Sequence, residues 1–155
     1  MIHHLLRLLF ASIIALQLVG CQSPIYEHHI KLPNYTWDRS NKLVYKITLD
    51  KAVENAQVWL NIRHATELPY PELLLNVKLS TPQGEKGTRQ MRIPTKNAEG
   101  KNIGKGMGDL WDIEAPIEEN ANLQAGNYEI ELSHQMADEQ VFMLVDIGVE
   151  VRAKE

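Results

Sequence analysis

Hydrophobic and polar side chains alternate with a period of two along most of the chain after residue 25. Such alternation is typical of strands that place every second side chain in a shared core. The runs that show it are residues 43–49, 58–62, 73–79, 128–136 and 145–151, with shorter ones at 26–30, 89–93 and 110–113. Clusters of Gly, Pro, Asn and Asp separate these runs. The pattern therefore predicts several strands joined by turns.

The spacing of these strands and turns determines the fold class that we expect. No long segment keeps the 3.6-residue period of an amphipathic helix, so only one helical turn is predicted, near residues 116–120. We predict an all-β fold, an antiparallel β-sandwich of jelly-roll or immunoglobulin-like type with little helix. Residues 26–155 are expected to form it as a single domain, since a chain of this length can bury a sizeable core.

The N-terminal segment departs from the alternation. Arg7 precedes an apolar run, residues 8–19, that only Ser12 and Gln17 interrupt. A membrane-spanning helix needs about 20 apolar residues, and this run is shorter. The charged start and short apolar run are those of a cleaved signal peptide, which we assign to residues 1–20.

Cys21 is the only cysteine of the chain and directly follows Leu18, Val19 and Gly20. This order matches a bacterial lipobox, at which a lipoprotein signal peptidase cuts before the cysteine. Cys21 is therefore predicted to be the first mature residue and to carry the lipid, although a free cysteine in an ordinary cleavage region is the alternative. Several acyl chains anchor stably because each buried methylene contributes about 0.8 kcal/mol. Residues 21–25 form the lipidated cysteine and a short tether.

Composition and charge exclude several function classes. The formal net charge is −4 at pH 7 and becomes −5 once Arg7 leaves with the signal peptide. No cluster of lysine and arginine forms a stripe, so nucleic-acid binding is not expected. With Cys21 committed to lipid, no thiol remains for a disulfide or a thiolate metal site.

The glycine-rich segment 100–108 has the composition but not the spacing of a phosphate loop. A Walker loop has four residues between its glycines and a Ser or Thr after the lysine, whereas Gly106 follows Lys105 here. We predict a long loop with positive-φ positions and no nucleotide.

The histidines and serines offer no clear catalytic or metal chemistry. His28 and His29 are adjacent on a predicted strand and point to opposite faces, so they do not chelate one ion easily. His134 shares the parity of Tyr128 and Ile130, which predicts a satisfied, partly buried side chain. No serine lies in a nucleophile motif. We therefore expect no metal, no cofactor and no enzymatic activity.

Trp59 and Arg63 lie on the polar parity of a predicted strand, and Tyr70 follows in the next loop. Exposed tryptophan and arginine are common anchors of binding interfaces. The alternatives are that both faces of the sheet are covered here, or that Trp59 lies under the loop at residues 69–71.

The order of motifs along the mature chain resembles the gliding motility lipoprotein GldH family. The segments that carry the resemblance are Cys21, Tyr26 and Trp37, residues 58–64, 68–71 and 73–79, residues 104–110, 126–130, Met136 and residues 146–149. The resemblance implies a lipid-anchored, non-catalytic structural or assembly component associated with gliding motility and type IX secretion. It implies other envelope proteins of that apparatus as partners. The candidate partner surface consists of Trp59, Arg63, His64, Tyr70, Gly104, Gly106, Gly108 and Asp109.

The location follows from the residues after the cysteine. Gln22 stands where an aspartate would favour retention in the inner membrane, so the outer membrane is expected. Residues 22–26 lack the acidic cluster of surface-exported relatives, which favours a domain that faces the periplasm. The alternative function is a glycan- or peptidoglycan-binding module, with Trp59, Tyr70 and Trp111 as stacking platforms.

Replacing Cys21 with alanine is predicted to abolish palmitate labelling, because the thioether and amide attachment points of the lipid are both on this residue. The measurement compares labelled palmitate in the wild type and in Cys21→Ala. Equal labelling of the two forms would remove the lipoprotein interpretation.

Overall fold

The computed structural model describes residues 23–154, so Cys21 and the lipobox residues Leu18, Val19 and Gly20 lie outside the described part. The described chain forms eleven strands and one turn of 3-10 helix, Pro33–Tyr35. The strands are β1 (Tyr26–Lys31), β2 (Thr36–Asp38), β3 (Leu43–Leu49), β4 (Val53–Ala65), β5 (Glu72–Thr81), β6 (Gly84–Pro94), β7 (Lys105–Met107), β8 (Leu110–Leu123), β9 (Gly126–His134), β10 (Gln140–Phe142) and β11 (Leu144–Ala153).

All strand pairings between these elements are antiparallel. One sheet has five strands in the order β1-β11-β4-β8-β7, and the other has four in the order β3-β9-β5-β6. A short ribbon of β10 and β2 forms a third, two-stranded sheet. The predicted antiparallel β-sandwich with little helix is confirmed.

The core lies between the two large sheets and is built by the period-two alternation. On β3 every second residue from Leu43 to Leu49 is buried, and on β4 the buried positions include Val58, Leu60 and Ile62. The Tyr45 hydroxyl crosses the sandwich and donates to the carbonyl of Ile147 at 2.7 Å. This hydrogen bond satisfies a hydroxyl whose pKa is raised by burial. The buried hydrophobic residues of both sheets form one cluster.

The β2–β10 ribbon covers one end of this core. Its Trp37 and Val141 are fully buried, and the Trp37 indole donates to the Asn41 carbonyl at 2.7 Å. The Trp37 ring meets the His134 ring edge to face, with centroids 5.3 Å apart. The ribbon therefore closes the end of the sandwich at which β9 finishes.

His134 corrects one expectation from the sequence. Its side chain is only 1% exposed, and neither ring nitrogen makes a hydrogen bond of good geometry. It is therefore more deeply buried than predicted. Burial lowers the pKa of the imidazole and the nearby Arg39 lowers it further, while the backbone groups of Glu139 and Trp37 oppose the shift.

The predicted helical turn at residues 116–120 is wrong, because this segment lies inside β8. Pro116 pairs with Trp59 on β4, while β7 pairs only with residues 110–112 of β8. Beyond that short overlap β8 is an edge strand, and the missing N–H of a proline leaves no ladder hydrogen bond unmade there. A register shift next to Glu118 absorbs the irregularity.

Several strand limits also differ from the pattern. Met136 lies beyond the end of β9, and β8 is much longer than the predicted run at 110–113. The short strands β2, β7 and β10 were not predicted, because three residues give too little alternation to recognise. Among the described residues, no helix has the length and apolar character needed to cross a membrane.

The stability of the protein is predicted to fall on mild acidification because His134 is buried and neutral. Its pKa is lower in the folded state than the usual value near 6.5, so the unfolded chain binds the extra proton as the pH falls below about 6.5. Urea unfolding between about pH 7 and about pH 5 should give a smaller loss of stability for His134→Leu than for the wild type. If the unfolding free energies of the two proteins changed equally with pH, His134 would not be the cause of the pH dependence.

Candidate functional site

The outer face of the five-stranded sheet, which points away from the core, carries a cluster of charged side chains. Antiparallel pairing aligns these residues in rows across the strands. Asn61 on β4 faces Gly148 on β11 and Glu114 on β8. In the next row Arg63 faces Asp146 and Asp112. The alternation that sends Leu60 and Ile62 into the core therefore sends these polar residues to one outer surface.

These rows line a depression of about 330 Å³, which we call the outer-face groove. Its charged and polar lining residues are Glu27, His29, Asn61, Arg63, Lys105, Asp112, Glu114, Asp146, Glu150 and Arg152. They come from β1, β4, β7, β8 and β11, so all five strands of the sheet contribute. Five carboxylates stand against three permanent cations, which makes the groove acidic.

Arg63 and Asp112 form a bidentate ion pair in the centre of the groove. Arg63 donates from Nε to Oδ1 at 2.7 Å and from Nη2 to Oδ2 at 3.0 Å. The hydrogen bond with Asp112 raises the pKa of the guanidinium. Both side chains are more than one third exposed, so water screens the pair and its contribution to stability is small.

Arg152 is the centre of a tighter network on β11. It donates to both oxygens of Glu150, at 2.5 and 2.6 Å, and to Glu114 at 3.0 Å. Asn61 adds a hydrogen bond to Glu150 at 3.2 Å. These bonds, led by those from Arg152, hold the pKa of the Glu150 carboxyl below its usual value despite burial. Glu150 is only 7% exposed and therefore depends on this network.

Trp59 lies beside this network, and the Arg152 guanidinium stands 5.6 Å from the centre of its ring. This geometry is a cation–π contact. The indole N–H also points to Gln57 Oε1, at 3.4 Å. Trp59 is therefore half-buried on the outer face, with one side of its ring occupied by Arg152.

His29 closes the groove on the β1 side. It lies across Gly148, where a Cβ atom would come within 2.5 Å of the imidazole. Its Nδ1 is 2.8 Å from Asp146 Oδ1, and its Nε2 is 3.2 Å from Glu27 Oε1. The neighbouring His28 contacts the Tyr45 ring instead, with centroids 6.1 Å apart. The two adjacent histidines therefore point to opposite faces, as predicted.

The chemistry available in the groove is recognition by charge and hydrogen bonding. None of its lining residues is Ser, Thr, Cys or Tyr, so it holds no hydroxyl or thiol nucleophile. Among residues 23–154 no group of three or more His, Cys, Asp or Glu side chains is placed to hold a metal ion.

The structure brings only some of the predicted partner-surface residues together. Trp59 and Arg63 lie on the outer face, beside and inside the groove. Tyr70 lies beyond the end of β4, where its hydroxyl donates to Asp138 at 2.8 Å. The prediction that His64 belongs to the partner surface is wrong, because this residue is fully buried on the core side of β4. Its neighbour Arg63 is exposed because successive residues of a strand point to opposite faces.

The glycines of the predicted loop allow a strand to approach β8 closely. Gly104 has φ +102°, and a Cβ atom there would come within 2.2 Å of the Asp112 carbonyl oxygen. Gly106 lies under the Trp111 ring, which a Cβ atom would meet at 3.1 Å. Gly108, with φ +61°, and Asp109 form the turn into β8, and the Asp109 carbonyl accepts the Thr66 N–H at 2.9 Å. These residues build the edge of the sheet that carries Lys105 into the groove.

The three aromatic residues considered as a sugar-stacking platform do not converge. Trp111 has the same parity on β8 as Ile113 and Ala115, which are buried on the core face. Trp59 has the opposite parity in the paired strand β4, and Tyr70 is held by Asp138. Within the described residues, these side chains therefore offer no common stacking surface.

The network residues of β1, β8 and β11 were missed in the sequence. Asp146, Glu150 and Arg152 alternate with buried valines and isoleucine, and this pattern indicated only a solvated face. Their convergence with Glu114 and Trp59 depends on which strands are neighbours in the sheet. The one available signal for this network was the run of polar residues that share the parity of Trp59 along the strands.

Comparisons with known proteins give the following similarities. The family model described as GldH lipoprotein matches residues 24–151. No curated protein has significant sequence similarity to the chain. Similar solved structures include Xyl-CBM35 in complex with a glucuronic acid containing disaccharide, at 20% identity and a TM-score of 0.40, covering 74% of this chain and 70% of that one.

Two further solved structures are similar to the chain. CBM35 from Cellvibrio japonicus Abf62 has 19% identity and a TM-score of 0.41, with 76% of this chain and 73% of that chain covered. The xylan-binding module CBM15 has 9% identity and a TM-score of 0.45, with 88% and 89% covered.

Glu150→Gln is predicted to lower the free energy of unfolding by about 1 to 3 kcal/mol near neutral pH, because a buried charge-assisted network loses its anion. The wild-type advantage is present above the ordinary glutamate pKa and is lost as the pH falls through the lower pKa of the folded state. Urea unfolding between about pH 7 and about pH 3 measures both effects.

The matched control is Glu54→Gln, an exposed position of the same strand as Trp59. It should change the unfolding free energy by less than about 0.5 kcal/mol. If the difference in unfolding free energy between wild type and Glu150→Gln stayed constant over the whole pH range, the stabilising role of the ionised Glu150 carboxylate would be contradicted.

Proposed function

The chain belongs to the GldH lipoprotein family, and from this membership we propose that it is a lipid-anchored, non-catalytic assembly component of the cell envelope. The apparatus in which it would act is the one associated with gliding motility and type IX secretion, as the sequence resemblance implied. The observation that carries the proposal is the family match across residues 24–151.

The position of the anchor is consistent with this role. The family match begins three residues after Cys21. The Ile25 N–H already donates to the Val151 carbonyl at 2.8 Å, so the folded part begins four residues after the cysteine. Four extended residues span at most about 14 Å. The tether therefore holds the sandwich close to the membrane surface.

The paired charges of the groove support a structural rather than a catalytic role. Arg63 is bound to Asp112, and Arg152 is bound to Glu150 and Glu114. Catalytic acids and bases are usually poised to exchange protons, whereas the network keeps Glu150 ionised. Such fixed charges suit recognition of a partner surface.

The proposed location is the outer membrane, with the domain in the periplasm. Gln22 replaces the aspartate that would favour retention in the inner membrane. The residues after it lack the acidic cluster that directs related lipoproteins to the cell surface. A periplasmic domain at this membrane has access to the envelope proteins that the proposal names as partners.

Glycan binding is the second candidate, and the position of Trp59 on the outer face is the observation in its favour. Arg152 already occupies one side of that ring, and Tyr70 and Trp111 lie elsewhere. A saccharide pull-down separates the two functions. Saccharide binding that Trp59→Ala abolishes, with protein partners retained, would replace the assembly role.

Crosslinking in intact cells is predicted to capture proteins of the motility and secretion apparatus with the wild-type chain. Cys21→Ala serves as the mislocalised control, and its crosslinked products should be strongly reduced because the untethered domain is dilute at the membrane. Mass spectrometry of the captured proteins identifies the partners. Recovery of no envelope machinery from the wild type would contradict the proposal.

A further inference from the structure

A row of exposed apolar side chains crosses one end of the five-stranded sheet. Met107 on β7 pairs with Leu110 on β8, and Leu110 pairs with Ala65 at the end of β4. The Ala65 N–H donates to the Met143 carbonyl at 2.9 Å. Met107, Leu110 and Met143 are 82%, 38% and 38% exposed, and the preceding Phe142 is 49% exposed. We call Met107, Leu110 and Met143 the apolar row.

The backbone of the row is strained at Met143. Its φ is +67°, in the left-handed region that side-chain-bearing residues rarely adopt. Such conformations cost about 1 to 3 kcal/mol and are concentrated at functional positions. Here the strained residue still leaves 38% of its surface exposed, so its apolar side chain is only partly buried within the described chain. A contact with another molecule would bury the part that remains exposed.

The apolar row continues directly into the outer-face groove. Lys105 stands two residues before Met107, and Asp112 stands two residues after Leu110, so each pair lies on the same face of its strand. The groove has five carboxylates and three permanent cations. The exposed residues Asp109 and Glu67 stand next to the junction between β4 and β8. The outer face is therefore one surface with an apolar end and an acidic floor.

The row lies at the end of the sheet far from the anchor. The tether enters at Ile25, which bonds to Val151, whereas Met143 precedes Leu144 at the other end of β11. The seven residue steps from Leu144 to Val151 span about 23 Å at about 3.3 Å each. Laying the outer face flat on the membrane would press its acidic groove against anionic headgroups. The anchoring membrane is therefore a poor occupant for this surface.

We propose that the apolar row and the adjoining acidic groove form one docking surface for a partner protein that presents apolar side chains flanked by lysine or arginine. A second copy of the chain fits less well, because a twofold contact would bring two acidic grooves together. The inference rests on the proposed assembly role and names the face of the domain that performs it.

The test uses a photo-crosslinking residue at position 107 of the full lipidated chain in intact cells. With the row intact, it should capture a protein whose crosslinked peptide contains apolar residues and lysine or arginine. Leu110→Asp should lower the yield about tenfold, the effect of losing one interface hot spot. The matched control is Val44→Asp on the other sheet, where a residue of nearly equal exposure, 37%, lies outside the row.

Urea unfolding of both aspartate variants checks that each remains folded, and Leu110→Ser replaces Leu110→Asp if the aspartate destabilises the sheet. Equal crosslinking yields from the Leu110 and Val44 variants would overturn the proposal. So would a product that joins two copies of this chain, a product with lipid, or a crosslinked peptide without basic residues.

Failure of this inference is distinguishable from failure of the assembly role. If general chemical crosslinking of the wild-type chain in intact cells captures envelope proteins but the probe at position 107 does not, the partner binds elsewhere. In that case only the proposed docking surface is wrong. If neither captures them, the assembly role itself is contradicted.

Discussion

The pairing of β4 with β11 on one side and β8 on the other is the constraint on which the rest of the structure depends. Because successive residues of β4 point to opposite faces, this one register places Leu60 and Ile62 in the core and Asn61 and Arg63 outside. A slip of one residue would exchange the two sets. The core and the outer-face groove are therefore two consequences of the same hydrogen-bonded ladder.

The groove shows how a sheet can tolerate buried charge on its outer side. Asp146 and Glu150 on β11 are each 7% exposed, yet each has a cationic or imidazole partner from its own or a neighbouring strand. Removing one partner from such a network leaves the other charge buried and unpaired. The network thus links β1, β4, β8 and β11 on the face opposite the core, and it gives the domain an acidic surface of defined shape. Next to it, the apolar side chains of Met107 and Leu110 remain exposed and are not covered by other residues in the range 23–154.

Much of the fold could be predicted from local pattern, whereas little of the site could. The alternation around Leu43–Leu49 and Glu72–Thr81 was sufficient to locate β3 and β5. The helical turn predicted at residues 116–120 was wrong, because the pattern could not show that β8 becomes an edge strand there and accepts Pro116. His64 was placed on the surface with Arg63 because two adjacent residues of a motif were considered together, although a strand separates them to opposite faces.

The sequence by itself determined the strand-rich architecture, the signal peptide assignment with Cys21 as the predicted lipid site, and the resemblance to the GldH lipoproteins. These features are encoded by short-range periodicity and by the order of motifs along the chain. Only the tertiary structure decided that Arg152 meets Trp59, Glu114 and Glu150, and that Met107, Leu110 and Met143 lie in one row. The physical reason is that period two assigns side chains to two faces of a strand, whereas the choice of neighbouring strands depends on contacts between residues far apart in the chain.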